Sequence, residues 1–372
     1  MDPTHCEVGL TTQDKKKRVL LVDLGASMGG VEAYLEALAK ILSPNTDLFA
    51  LCVMTELAER LTKSGARVTV IPLFSKLRIL RFFTAFVSMM YLLIRHDIDV
   101  VQINGFMESI LLGPVRLLGR EAVYTRHGPF ELDLYRWYRH PFKYVPRMFS
   151  RYGAHFASRL ICVSESVGAL CKPLFPEGRV SVIPNWVTTL PDPRTRSGKL
   201  RATQIVCIGR LEKYKGVHLL IEAMRGLDEV ALTVVGDGTY RLELERLARG
   251  LEINFVGFQR DPTPFYRQAD IFVMPSLGPE GLPMVAIEAM SHMLPCMFSD
   301  LAVHCEISDG GQAAMLFCSG DVDDLRRKLQ LLLESEREQD RLAKNAYELV
   351  KRKYYEPVAR QAYLEAFAVA QP

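Results

Sequence analysis

The sequence predicts an α/β protein made of two Rossmann-like parallel-sheet domains facing each other across a cleft. Three observations carry that expectation. Short apolar runs alternate with helix-like segments from residue 19 onward, which is the βαβ rhythm of a mostly parallel, doubly wound sheet. The rhythm breaks at residues 184–200, PNWVTTLPDPRTRSGKL, where three prolines stand among mixed polar residues. It then restarts at Gln204 and runs through a second series of strands and helices.

The bulk composition fits this picture. A chain of 372 residues is long enough for two domains of ordinary size. Apolar residues make up 49% and charged ones 24%, as in ordinary globular proteins, and the net charge of +3 gives no electrostatic footprint for nucleic acid. The eight cysteines form no C-x-x-C pair, and several lie inside apolar runs. That reads as a reduced, cytoplasmic protein without a disulfide framework or zinc site. Residues 1–17 are polar, lack the apolar core of a signal peptide, and read as a flexible tail.

Taken in order, the first half (residues 18–190) places strands at 19–24, 49–54, 67–71, 99–103, 122–126, 159–163 and 180–183. After the first strand, Gly25 to Gly30 forms a small turn, and a helix over 31–42 puts Leu35, Leu38 and Ile41 or Leu42 on one face. Strand, glycine turn and helix have the local geometry of a phosphate cradle, but the G-x-G-x-x-G spacing of a dinucleotide site is missing, so a plain tight turn is the alternative. The run FFTAFVSMMYLLI at 82–94 is well short of the roughly 18 apolar residues that span a bilayer. It reads first as a buried core helix. Lys76, Arg78 and Arg81 keep open a second reading, a helix lying on a membrane surface. His127 follows the 122–126 strand directly and so sits at a strand's C-terminal edge, as a structural or a functional group. The basic and aromatic run 135–151, YRWYRHPFKYVPRMFSR, is either a solvated connection or a contact for an anionic acceptor or lipid head groups.

A linker covers residues 191–200 and the second half residues 201–350, with strands at 204–208, 231–235, 253–256, 271–274, 295–298 and 313–317. Its first turn, Gly209-Arg-Leu-Glu-Lys-Tyr-Lys-Gly216, carries Arg210 and Lys215 just before a helix. A guanidinium and an ammonium at a helix N-terminus suit a pyrophosphate; two loose surface cations are the alternative. Residues 351–372 read as a C-terminal helix that packs back on the first domain.

The stretch 271–290, IFVMPSLGPEGLPMVAIEAM, organises the second half. It reads as strand, broken loop and helix, the place where open α/β sheets bind ligands. Gly281 permits close backbone approach. Glu280 lies in the loop, and Glu288 lies within an otherwise apolar helix. A glutamate there faces a ligand or pairs inside the fold. No Asp-x-Asp metal motif stands at a strand end; the acidic cluster 321–324 opens a helix, where it complements the dipole.

IGRLEKYKG, VVGDG, VGF and PSLGPEGLPMVAIEAM, in this order and spacing, resemble the retaining glycosyltransferases of family 4, which have the GT-B fold. GASMGGVEAYLEALA, YTRHG, VSES and VIPN extend the resemblance over nearly the whole chain. The resemblance implies that Glu280 lies beside the donor sugar and Glu288 holds the nucleotide ribose. Arg210 and Lys215 would grip the donor pyrophosphate, with the turn at Gly29 and Gly30 approaching from the other domain and Gly209 closing the strand below. His127 would lie near the transferring sugar, Gly281, Leu282 and Pro283 would read its hydroxyls, and Phe258 of the VGF motif would lie near the base. Three places depart from the family pattern, at five residues: Trp186 and Thr188 after Pro-Asn, Met293 where a glycine is common, and Val303-His304 where two glycines often stand.

The chemistry implied is transfer of a sugar from a UDP- or GDP-linked donor to a glycan or lipid-linked acceptor, with no metal or other cofactor. Cell-surface polysaccharide assembly is the setting the family implies, with a peripheral contact on the inner membrane face. Breaking a sugar–phosphate bond leaves charge on the diphosphate, which Arg210 and Lys215 would stabilise. Retention would proceed through a short-lived ion pair on one face, or with Glu280 as nucleophile. A sugar phosphorylase or epimerase on the same fold, or a non-catalytic nucleotide-sugar-binding protein, are the rival readings.

Overall fold

The computed structural model describes residues 16–25, 29–72, 78–104, 108–128, 152–192, 202–278 and 280–367. The expected tail (but for its last two residues), Lys76, the basic aromatic run at 135–151 and most of the linker fall outside them. The first sheet contains β1 (Lys17–Asp23), β2 (Thr46–Cys52), β3 (Arg67–Val70), β4 (Val100–Ile103), β5 (Glu121–Arg126), β6 (Arg159–Cys162) and β7 (Val180–Val182). All pair in parallel, in the order β3-β2-β1-β4-β5-β6-β7. The second contains β8 (Thr203–Ile208), β9 (Val230–Val235), β10 (Ile253–Gly257), β11 (Ile271–Met274), β12 (Cys296–Ser299) and β13 (Met315–Phe317), ordered β10-β9-β8-β11-β12-β13 and also parallel.

Helices cover both faces of each sheet. In the first half they are α1 (Gly30–Leu42), α2 (Thr55–Lys63), α3 (Arg78–Arg95), α4 (Leu112–Leu117) and α5 (Glu165–Cys171). In the second they are α6 (Val217–Ala223), α7 (Arg241–Leu247), α8 (Thr263–Gln268), α9 (Met284–Ser291), α10 (Ala302–Ile307), α11 (Val322–Glu334), α12 (Glu336–Lys353) and α13 (Glu356–Ala366). The two-sided burial shows in β1. Val19 and Leu21 point into one core with α1, and Leu20 and Val22 into the other with α3. Such strands read as continuous apolar runs because both faces are covered. Each buried Leu or Val contributes about 1.5–3 kcal/mol over an exposed one.

Strand ends differ from the sequence reading by a few residues, and three boundaries differ at the edges of the larger segments. Lys17 opens β1 instead of closing the tail, because it pairs with Thr46 of β2. Residues 351–353 end α12, where Lys351, Arg352 and Lys353 complement the helix dipole. The last helix starts at Glu356, with proline in its first turn. From there α13 crosses to the first half: Tyr363 and Phe367 join the core that holds Tyr34 and Trp186, and the Tyr363 hydroxyl donates to that of Tyr34 at 3.0 Å.

The halves meet at further points. The Glu306 carboxylate on α10 accepts from the backbone N–H groups of Glu165 and Ser166, both at 2.8 Å, and from the Ser166 hydroxyl at 2.6 Å, at the start of α5. Asn185 Nδ2 donates to the Leu282 carbonyl at 2.7 Å. Val187 exchanges backbone bonds with the turn between α12 and α13.

α3 fits the core-helix reading on one side only. Ala85, Met89, Leu92 and Leu93 are buried against the first sheet, while Leu80, Phe83, Val87, Tyr91 and Ile94 form an exposed stripe on the other side. No helix among the described residues is long and apolar enough to cross a membrane.

Candidate active site

The strand orders reverse between β1 and β4 and again between β8 and β11. Ligands of open α/β sheets bind at such switch points. The loops leaving β8 and β11 are braced together, with the Leu277 N–H donating to the Tyr214 carbonyl at 2.7 Å. Gly216 stands in the left-handed region at φ +69°, and a Cβ there would lie 1.9 Å from the Pro275 carbonyl oxygen, so only glycine fits.

This bracing brings Lys215 and Glu280 together. The ammonium donates to Glu280 Oε1 at 2.6 Å, and the Ser276 hydroxyl donates to the same oxygen at 2.7 Å. Both charged side chains are mostly buried, 17% and 10% exposed. Arg210, by contrast, is exposed and its guanidinium donates to the Tyr214 hydroxyl at 2.8 Å. Across the domain boundary its positive charge lowers the pKa of Glu32, whose carboxyl is raised overall by burial. Glu32 also accepts from the N–H of Gly29, capping α1 in reverse. Gly29 and Gly30 are exposed, and a Cβ on Gly30 would meet nothing within 4 Å.

At Gly281 the halves approach closely: a Cβ there would lie 1.9 Å from the His127 carbonyl oxygen. His127 Nε2 lies 3.4 Å from Asn104 Oδ1, and its ring packs edge-on against Tyr34 at 4.6 Å. Burial drives its imidazole down to about 3, so it is neutral at ordinary pH. Leu282 and Pro283 are buried, and Pro283 caps α9. Glu288, in the middle of α9, accepts from the Tyr266 hydroxyl at 2.8 Å, and burial raises its carboxyl. Gly209 ends β8 at φ +156°, and Phe258 is exposed just beyond β10. Lys215, Glu280, Gly281 and His127 thus form one contiguous group, while Glu288 and Phe258 stand on neighbouring elements.

Sequence reasoning missed Ser276, Ser299, His304 and Tyr266. The fully buried His304 lies within 2.9 Å of the Ser299 carbonyl, which can only accept, so Nδ1 carries the proton. The Ser299 hydroxyl donates to the Ser276 carbonyl at 2.6 Å. A chain of hydrogen bonds therefore ties α10 to the loop that holds Glu280. His304 had been visible only as a departure from the family pattern. Among the described residues no three His, Cys, Asp or Glu side chains group as metal ligands would.

Two family models divide the chain between them. The group 1 glycosyl transferases match residues 194–349, and Glycosyltransferase Family 4 matches residues 28–189. The chain belongs to the family 4 glycosyltransferases. Its relatives include a sulfoquinovosyl transferase of Arabidopsis thaliana, 33% identical over 42% of this chain and 31% of the relative. A GDP-mannose-dependent phosphatidylinositol monomannoside mannosyltransferase of Mycolicibacterium smegmatis is 28% identical over 73% of this chain and 77% of its own length. The chain spans less than two thirds of the length of the first curated relatives it matches. Among solved structures, the Anabaena protein HepE in complex with UDP and glucose aligns with a TM-score of 0.80 at 19% identity, over 95% of this chain and 99% of HepE. The fold of this family 4 member is thus GT-B, two Rossmann-like domains of seven and six parallel strands.

Proposed function

We propose that this chain is a retaining glycosyltransferase that moves a sugar from a nucleotide-diphosphate donor to a glycan or lipid-linked acceptor without a metal ion. The observation that carries the reading is the Lys215–Glu280 pair at the β8/β11 switch point, pressed by Gly281 against His127 of the other domain. A cation fixed there meets the charge that develops on a departing diphosphate. A preorganised group of this kind is worth about 100-fold or more in rate. Arg210 supplies a second cation from the same loop, and Gly29 and Gly30 leave open backbone on the opposite side. Glu280 stands where an oxocarbenium-like sugar gains positive charge. Glu288, held by Tyr266, keeps a carboxylate oxygen for the ribose.

In this reaction the bond from the anomeric carbon to the phosphate oxygen breaks and a bond to the acceptor oxygen forms on the same face. The departing diphosphate oxygen takes the acceptor's proton. Neutral His127, buried beside Asn104, orients groups of the transferring sugar without adding charge.

UDP is the first nucleotide to test, since HepE is seen with UDP, UDP-glucose and glucose. GDP is the second, from the GDP-mannose-dependent relative. A thermal-shift screen against UDP, GDP, ADP, dTDP and CMP, with and without magnesium, tests the reading: one nucleoside diphosphate raises the melting point by mass action, independently of magnesium. A flat response to all of them, or a strict magnesium requirement, counts against it. The proton NMR coupling of the product's anomeric centre then decides retention.

The acceptor reading includes a membrane. The exposed stripe of α3, with Arg81 and Arg95 on the same helix, fits the surface of an anionic bilayer, where a lipid-linked acceptor resides. The setting is the cytoplasmic face, in cell-surface glycan assembly. A lipid-linked glycan acceptor is also named for a galactosyltransferase relative from Escherichia coli, which acts on a GlcNAc-diphosphoundecaprenol.

A further inference from the structure

Buried polar atoms are almost always hydrogen-bonded, so those that are not call for an explanation. Several lie together at the C-terminal edge of the first sheet. Gln102 Nε2 lies 2.7 Å from Thr125 Oγ1, 2.9 Å from the Tyr34 hydroxyl and 3.2 Å from Asn104 Oδ1. His127 Nε2 also lies 3.4 Å from Asn104 Oδ1, so Oδ1 stands toward Gln102 and His127 and Nδ2 points away from them. Asn104 Nδ2 then has no acceptor, and Asp23 Oδ2 has no donor, among the described residues. Both side chains are nine-tenths buried, at 7% and 4% exposed.

The register of the sheet places these two atoms' residues side by side. Val22 of β1 pairs with Ile103 of β4, so Asp23 and Asn104 leave adjacent strands in the same row, about 4.8 Å apart in backbone. The row stands on the cleft. Asn104 touches His127, whose carbonyl oxygen faces Gly281 beside Glu280. Asp23 Oδ2 and Glu32 Oε1 converge over Gly25, where an added Cβ would lie 3.1 and 2.9 Å from them, and Glu32 in turn feels Arg210 across the boundary.

We infer that Asp23 and Asn104 form a binding site for a neutral hydroxyl group of a sugar or polyol acceptor, which donates to Asp23 and accepts from Asn104. The chemistry of the two atoms selects the ligand. An anion is repelled by Asp23, Glu32 and Glu108. A metal or an ammonium has no use for the amide N–H of Asn104. A hydroxyl satisfies both atoms at once, because it is donor and acceptor in one group. The inference rests on the glycosyl-transfer reading and places the acceptor opposite Lys215 and Glu280.

The test uses the purified full chain and a panel of free glucose, galactose, mannose, N-acetylglucosamine and myo-inositol, followed by saturation-transfer NMR with and without UDP. Wild type is expected to bind at least one of the panel. Asp23→Asn and Asn104→Ala are each expected to weaken that binding about tenfold or more, with UDP affinity kept within about twofold. No binding by the wild type to any of the panel, or unchanged binding in both variants, overturns the inference. So does parallel loss of sugar and UDP in both, which would mark the pair as part of the fold. Sugar binding without UDP binding in the wild type would instead sink the donor reading and leave the hydroxyl site standing.

Discussion

The Lys215 ammonium and the Glu280 carboxylate sit 2.6 Å apart and are held by two loops, one leaving β8 and one leaving β11. Without a ligand each neutralises the other. In the proposed reaction a bound diphosphate would compete for Lys215, which would free the Glu280 oxygen to face the sugar. Lys215→Ala and Glu280→Ala are each expected to lower turnover by about 100-fold or more. The double variant should lose much less than the product of the two, because the pair acts as a unit. Steady-state kinetics on the three variants checks this; strict additivity would separate the two residues into independent roles.

Glu306 fastens the second domain to the first at the start of α5. Its carboxylate accepts two backbone N–H groups and one hydroxyl, all from the other domain. Glu306→Ala should release this contact and leave those donors to water, at a cost of about 1–3 kcal/mol in the closed arrangement. The expected readings are a larger radius of gyration by X-ray scattering and a higher KM for the donor. An unchanged radius would show that the remaining contacts, such as Asn185 with Leu282, hold the domains by themselves.

Asp23 sets an alkaline limit on stability. Burial raises its carboxyl to about 7, aided by Glu32 and Glu108, while the Gly25 N–H opposes; its charge is also felt by Cys52. The unfolded value is near 3.8, so between that and 7 the folded state binds more protons than the unfolded one. Stability from this group is therefore full below about pH 4 and is lost as pH rises through 7. Asp23→Asn should raise the melting point most at pH 8, less at pH 5, and leave it nearly unchanged below about pH 4. On the acid side the sign reverses, because His127 and His304 are held neutral, with values of about 3 and 4. Their unfolded forms take up protons from about pH 6.5 downward, so stability falls as pH drops from there toward 4. A melting profile that peaks between these limits in wild type, and keeps its alkaline side in Asp23→Asn, is the expected result.

How much of this was legible in the sequence depends on whether a residue's partner is local. The central strands could be read because two-sided burial makes them continuous apolar runs, whereas the edge strands β3, β7 and β10 are only partly buried and were read from the βαβ rhythm around them. Lys215 and Glu280 were each visible in a loop at a strand end. Their contact was not, since 65 residues separate them. Tyr266 carries no signal in the local sequence, because its hydroxyl meets Glu288, 22 residues away, only in the folded chain. Asp23 ended an apolar strand and drew no notice, because an unpaired buried oxygen is a property of surroundings and not of spacing. His304 shows the converse case. It stood out as a departure from a family pattern, and the structure gives that departure a role, as the anchor that ties α10 to Ser299.

The exposed stripe of α3 makes the last prediction. Phe83 is 61% exposed, Tyr91 62% and Ile94 72%, at spacings that keep them on one side of the helix, with Ala85 and Met89 buried on the other. An apolar stripe on a helix that also carries Arg81 and Arg95 would bind an anionic bilayer by two terms, burial of the stripe and attraction of the cations. The protein should therefore sediment with vesicles containing phosphatidylglycerol and much less with pure phosphatidylcholine, and added salt should weaken the binding. Phe83→Ser with Ile94→Ser removes only exposed side chains. That variant should keep the wild-type melting point and the response to nucleotide diphosphates while losing vesicle binding. Sedimentation of the double variant at the wild-type level would place the membrane contact elsewhere on the first domain; no vesicle binding by wild type at low salt would remove it.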